Sequence, residues 1–347
     1  MKILKNAGYS RILAVQPGHP KPQQIMERCG RTCYQSFKGK ITDSSASKFV
    51  RMVVERTHYA VIEHGWSGFI IKDPQRKLNL YKYFWPHTKF LYITERDDNF
   101  ILVSGNMEVW RKIYQAGLLS KSNLTGHLRN YCPDVFMFVT PRPTPDTLCF
   151  DGEPITSIEQ LKSKEELLNH VALTIELDFV SRGLTHELVR HRPIVFAQAS
   201  TRFVDYAGLR AKNPNLDRFQ LKCVVPPHRD ENQIVTLEDG SQKSMRDGLL
   251  DIERLYRALR KAGWLPEDAR QILPNALVAQ IIASAPLEEW HYIDYRRTTK
   301  AAHWEIRRVI GNSLKQRKKL FPEIFADFRK AGLDKNGLAY FEQIMNK

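Results

Sequence analysis

Val171-Ala172-Leu173-Thr174-Ile175-Glu176-Leu177-Asp178-Phe179 places an apolar side chain at every second position from Val171 to Phe179. A period of two is the signature of a half-buried strand. The run passes through Ser181-Arg182-Gly183 into Leu184-Thr185-His186-Glu187-Leu188-Val189, which reads as a helix, and then into Arg190-His191-Arg192-Pro193. A residue before proline is pushed out of the α region, so this helix is expected to end near Arg192. The apolar run Ile194-Val195-Phe196-Ala197 then carries the chain to Ser200-Thr201-Arg202. Two dense cationic groups at either end of a short buried segment are placed to grip one polyanionic ligand. A basic last helical turn also arises simply to complement the helix dipole. Here the apolar flanks and the second cluster favour a ligand, because a buried guanidinium without an anion is costly.

Outward from this stretch, Ile12-Leu13-Ala14-Val15 reads as a strand, followed by a helix from about Pro22 carrying Met26, Cys29 and Cys33. A second helix is expected from about Ser44 to Thr57, and Trp66 to Ile71 reads as a strand. Residues 73–161 are rich in aromatics and prolines and read as an inserted elaboration; within them Phe100 to Asn106 is a strand and Met107 to Ala116 a helix. Further helices are expected at about Ser244 to Ala262, after Pro266, and from about Ala301 into Lys319, the last opening a basic helical C-terminal region over 301–347. Strands and helices mix without regular β-α-β alternation, so the fold class is α+β, read as a single domain over 1–347. No internal repeat is evident.

The chain has 347 residues, 42% hydrophobic and 26% charged, with 53 basic and 38 acidic residues giving a net charge of +15. That balance suits a globular protein with an anionic partner. Its five cysteines (29, 33, 132, 149 and 223) are scattered and include no Cys-x-x-Cys, so reduced thiols are expected and a zinc knuckle is not. No run approaches 18 apolar residues and Met1-Lys2-Ile3-Leu4-Lys5-Asn6 lacks a signal-peptide core, so a cytoplasmic protein without membrane association is expected.

His186-Glu187-Leu188-Val189-Arg190-His191 superficially looks like a zinc-protease helix. Its histidines are five apart, roughly 140° around the helix from each other, where that chemistry needs four. No metal site is expected. Gly-x-Gly-x-x-Gly and Gly-Lys-Ser/Thr phosphate loops are absent. Two further basic concentrations remain, Ala269-Arg270-Gln271-Ile272-Leu273-Pro274 and Tyr295-Arg296-Arg297-Thr298-Thr299-Lys300-Ala301-Ala302-His303.

Together these segments resemble the flavin-dependent thymidylate synthases, whose signature is Arg-His-Arg, seven residues, then Ser. Arg190-His191-Arg192 with Ser200 fits it, and the flanks from Arg182 to Val189 and from Phe196 to Arg202 fit as well. His58-Tyr59-Ala60-Val61-Ile62-Glu63-His64 is similar to a second flavin-side motif, Gly30 to Tyr34 to an N-terminal one, and Val103-Ser104-Gly105-Asn106 to one of longer members. The resemblance implies an α+β enzyme with a mixed or antiparallel sheet flanked by helices, mostly homotetrameric. Such an enzyme binds FAD, moves a methylene from methylenetetrahydrofolate to C5 of dUMP, and reduces it with electrons from NADPH.

On the same basis Arg297 and Ser200 are the catalytic candidates. Arg297 would stabilise negative charge on the uracil ring, and Ser200 would orient the nucleotide, since no base adjoins it. Glu187, Arg190, Gln198, Ala199, Ser200, Thr201, Arg202, Arg270 and Arg297 would bind the substrate, arginines supplying the fork that suits phosphate. Cys33, Ala60, Glu63, Arg190, His191, Arg192, Gln198 and Tyr292 would bind the flavin.

The sequence departs from the family pattern at Pro286, Glu288 and Tyr292, where Asn, Arg and a polar residue are usual, and at Ala60, Ala199 and Phe203. Exchanging Arg for Glu near a diphosphate reverses an attraction. Two alternatives follow: a paralogue modifying C5 of UMP or dCMP, and a non-catalytic nucleic-acid-binding relative. The second is motivated by Arg307, Arg308, Lys315, Arg317, Lys318 and Lys319, which read more simply as a solvated helix face without the aromatics of a stacking platform.

Overall fold

A computed structural model describes residues 1–73, 80, 84, 89–96, 99–144, 150–208 and 220–344. Numbered along the chain, its strands begin with β1 (Lys2–Leu4), β2 (Tyr9–Gln16), β3 (Trp66–Lys72), β4 (Leu91–Glu95) and β5 (Phe100–Asn106). There follow β6 (Gly152–Pro154), β7 (Ala172–Ser181), β8 (Val195–Gln198), β9 (Lys222–Val224), β10 (Val235–Thr236) and β11 (Gln242–Lys243). The last three are β12 (Val278–Pro286), β13 (Phe328–Leu333) and β14 (Ala339–Gln343).

Two four-stranded sheets dominate, ordered β2-β7-β12-β8 and β4-β5-β3-β6, and every pairing within them is antiparallel. With helices packed against both, the fold is α+β. The alternating run at 171–179 is the inner strand β7, and its apolar face (Leu173, Ile175, Leu177) joins Ile281, Trp290, Ile306, Ile310 and Phe325 in one core. Leu102 of β5 and Ile155 belong to that same core, so the two sheets share buried surface. A second core gathers Met26, Val50, Ile62, Phe69, Trp110 and Ile113.

The described part of residues 73–161 is therefore regular. Strands β4 and β5 extend a sheet whose central strand, β3, precedes them, and the Met107–Gln115 helix packs into the core that the Pro22–Tyr34 and Asp43–Glu55 helices also fill. Pro145 and Cys149 lie outside the described residues, and the other four cysteines are free thiols.

Two expectations change at the C-terminal end. The Trp304–Leu320 helix agrees with the expected one, but beyond the Pro322–Phe325 turn of helix the chain forms the β13–β14 hairpin. Proline cannot extend the preceding helix, and Asp334-Lys335-Asn336-Gly337 supplies the turn, with Gly337 at φ 73°. The basic cluster is also not one solvated face. Arg317 is wholly buried and forms a bidentate pair with Asp294, and Arg307 is buried against Asp334. No helix among the described residues is long and apolar enough to cross a membrane.

Candidate active site

Ser181 ends β7 and caps the Arg182–Leu188 helix, its Oγ accepting from the Leu184 amide at 3.0 Å. Glu305 holds the cap in turn, accepting from the Ser181 amide at 2.7 Å and from its hydroxyl. The helix stops at Leu188, four residues short of the expected end. It closes in a tight turn, the His191 amide donating to the Leu188 carbonyl at 3.1 Å. Ending early turns the His191 ring inward, whereas Arg190 and Arg192 stay exposed and have no ion-pair partner among the described residues.

His191 is 6% exposed and engaged at both nitrogens. Arg297 Nε donates to its Nε2 at 2.9 Å, and its Nδ1 lies 3.2 Å from Glu289 Oε1. Guanidinium can only donate, so Nε2 is the acceptor and the ring proton sits on Nδ1, directed at Glu289. Burial raises the Glu289 pKa above the usual carboxylate range, opposed by the His191 hydrogen bond. Tyr292 sets its ring edge-on to His191 at 5.8 Å.

Arg297 ends the Leu287–Arg297 helix. Its Nη2 donates to the Glu187 carbonyl at 2.9 Å, while its Nη1 makes only a 3.5 Å approach to the Glu187 carboxylate. His303 Nδ1 lies 3.4 Å from the other Glu187 oxygen. Three sequence blocks thus converge, and Nη1 is the arm of Arg297 held least tightly.

Strand β8 leads from this cluster to the second. Gln198 Nε2 donates to Thr185 Oγ1 at 2.8 Å, fastening β8 to the helix that carries Glu187. Buried Ala199 donates its amide to the Gln280 carbonyl at 2.8 Å, and the Ser200 amide donates to the Cys33 carbonyl at 3.0 Å. Ser200 Oγ accepts from the Arg202 amide at 3.2 Å, beside buried Thr201. Arg202 Nε donates to Glu267 Oε2 at 2.7 Å in an exposed pair, and Arg270 follows three residues after Glu267 with no ion-pair partner among the described residues. Exposed pairs contribute about 0–1 kcal/mol, so an incoming phosphate can displace Glu267.

Cys33 sits behind β8, its thiol pKa raised by burial. The Tyr59–His64 3-10 segment packs on β8 with Ala60 exposed and Glu63 half-buried, the Glu63 pKa raised by burial and then by Glu108. Motif reading missed the partners Glu289 and Glu267; each is a surface-type residue in sequence, and only the fold shows what it faces. Among the described residues no group of three or more His, Cys, Asp or Glu could hold a metal.

Residues 157–323 match the family model described as thymidylate synthase complementing protein. The flavin-dependent thymidylate synthase of Clostridium tetani is 31% identical over 174 residues, and that of Mycobacterium marinum 28% over 171 residues. These alignments cover 46% and 47% of the chain respectively, and it spans 64% of the length of each relative. Among solved structures, thymidylate synthase X of Helicobacter pylori with FAD and dUMP matches with a TM-score of 0.33 at 17% identity, over 48% of this chain and 81% of that one. The segment 157–323, which holds both basic clusters, Glu289 and Arg297, belongs to the thymidylate synthase complementing protein family.

Proposed function

We propose that the protein is a flavin-dependent thymidylate synthase, converting dUMP to dTMP with methylenetetrahydrofolate and NADPH. The observation that carries this reading is the Arg297–His191–Glu187 cluster, in which Arg297 reaches the Arg-His-Arg motif from 106 residues away. Arg297 Nη1 faces the nucleotide base and stabilises negative charge on the ring, making C5 nucleophilic. Arg202 and Arg270 hold the phosphate, and Ser200 with Thr201 orients the sugar and phosphate.

The residues around Arg190 and Arg192 fit a flavin: two exposed guanidiniums, without an ion-pair partner among the described residues, flank a fixed imidazole, a donor set suited to an anionic ring or diphosphate. Gln198, Cys33, Ala60, Glu63 and Tyr292 complete the proposed flavin side. The flavin supplies the hydride chemistry when bound. Buried Glu289 faces His191 on this side, so the anionic parts of FAD would be held by the two arginines.

The test is flavin absorbance of the purified protein and tritium release from 5-labelled dUMP with methylenetetrahydrofolate and NADPH. Folded protein given excess FAD that shows neither would sink the reading, and turnover of UMP or dCMP in place of dUMP would redirect it to another pyrimidine. Arg297→Ala is expected to lower turnover by about 10²–10³-fold, as for loss of one preorganised charge donor, with FAD retained. Loss of FAD instead would show the assignment of Arg297 to be wrong.

A further inference from the structure

Strands β3 and β5 pair in the same register as β7 and β12. Trp66 faces Asn106 and Ile71 faces Ile101; 106 and 180 residues later, Ala172 faces Pro286 and Leu177 faces Ile281. The hydrogen bonds around these strands repeat at the same two offsets. Met107 N donates to the Gly65 carbonyl at 2.9 Å, and Leu287 N to that of Val171 at 2.8 Å. Trp110 Nε1 donates to the Ser67 carbonyl at 3.1 Å, and Trp290 Nε1 to that of Leu173 at 3.1 Å.

Other contacts are exchanged. His64, just before β3, bonds through Nδ1 to Ser284 of β12 at 2.7 Å. His170, just before β7, bonds through Nδ1 to Ser104 of β5 at 2.8 Å. Strand β2 precedes His64 in the chain yet forms the edge beside β7, and β6 precedes His170 yet forms the edge beside β3. Reciprocal contacts of this kind, i with j and j with i, are what a two-fold axis produces.

We propose that residues 9–117 and 152–297 are two copies of one unit, closed on each other about an internal two-fold axis with their first strands exchanged, and that only the second copy carries a pyrimidine-nucleotide site. The second clause rests on the function proposed above. Gly117 stands seven residues after Trp110, where Arg297 stands seven after Trp290. Glu95 faces Ile101, the counterpart of Gln198 facing Ile281, so the first copy offers an anion where the second offers an amide. The first copy instead backs the second copy's site: its Cys33 and Tyr34 close on Ser200 and Phe203 of the second.

The equivalence explains one orphan. His170 Nε2 is satisfied by Thr94 Oγ1 at 2.9 Å. Thr94 faces Leu102 as Ala197 faces Ile282, so Ala197 fills the matching place, and buried His64 Nε2 has no partner among the described residues.

Two measurements on the full chain decide the matter. Calorimetric titration with dUMP is expected to give one site per chain; two sites would overturn the single equipped copy, and no binding at all would count against the proposed function instead. For the duplication itself, Ser104→Ala and Ser284→Ala are each expected to lower Tm by several degrees. Ala197→Thr, or the smaller Ala197→Ser, is expected to raise Tm by restoring a partner to His64, and Thr94→Val to lower it. If neither Ala197 variant raises Tm, or if only one serine matters, the two-fold equivalence is wrong.

Discussion

His191 is oriented from both sides, by a guanidinium that can only donate and a carboxylate that accepts. The Arg-His-Arg motif, its spacing to Ser200, and Arg297 were all legible in sequence because each is a run of unusual residue types. Glu289 was not. Its neighbourhood read only as a departure from a family pattern, although the same helix turn supplies the carboxylate that fixes the imidazole tautomer. Glu289→Leu is expected to lower kcat/KM roughly 10–100-fold, the worth of one hydrogen bond to a charged group, with little change in Tm. Glu289→Gln keeps an acceptor and should lose less. Because the Glu289 pKa is raised, the wild-type carboxylate gains its proton at a higher pH than an ordinary Glu as pH falls. The acid-side decline in activity should therefore begin early in the wild type and be flattened in Glu289→Gln; matching pH profiles would count against this role.

At the scale of elements, the strands and helices marked by periodicity and caps lie within a few residues of their expected positions, but the buried strand β12 and the Leu287–Arg297 helix were not expected. The exceptions are instructive. The Arg182–Leu188 helix ends before its proline because His191 is needed inside, and periodicity carries no information about that tertiary demand. The Trp304–Leu320 helix looked like a solvated basic face, yet Arg317 is buried against Asp294 of the Leu287–Arg297 helix. This pair pins the helix that presents Glu289 and Arg297. Asp294→Ala leaves a buried guanidinium unpaired and is expected to destabilise the protein by about 3–5 kcal/mol, read as a fall in the urea midpoint. Replacing both partners, Asp294→Leu with Arg317→Met, should cost clearly less; equal losses would show that packing, not charge, dominates.

At the scale of the whole molecule, the α+β class was readable from the mixture of patterns, but the paired sheets were not. The two units share register and hydrogen bonds with few residues in common, and register is invisible to a single sequence. Their two interface histidines also set the acid stability. Burial lowers the pKa of both His64 and His170 to about 3. The unfolded chain protonates histidine near pH 6.5, so below that it binds more protons than the folded state. Stability falls as pH falls between the two values, by up to about 1.4 kcal/mol per pH unit for each histidine. The urea midpoint should drop steeply from pH 7 to 5, and His64→Gln or His170→Gln should each make that drop shallower. A drop unchanged in both variants would assign the acid sensitivity elsewhere.

The exchanged first strands carry a consequence for biosynthesis. The partner of β2, strand β7, begins more than 150 residues after it, and β3 gains its outer neighbour β6 only at Gly152. Until then β2 has no sheet partner and β3, paired with β5, keeps one open edge; long-range pairing of this kind is slow and exposed to aggregation. A chain stopped before Gly152 lacks β6 and leaves β2 without its sheet. A fragment ending at residue 150 is expected to be insoluble or unfolded by circular dichroism, and the full chain to melt in one transition. The sheet that holds β2 stays incomplete until β12 has been made.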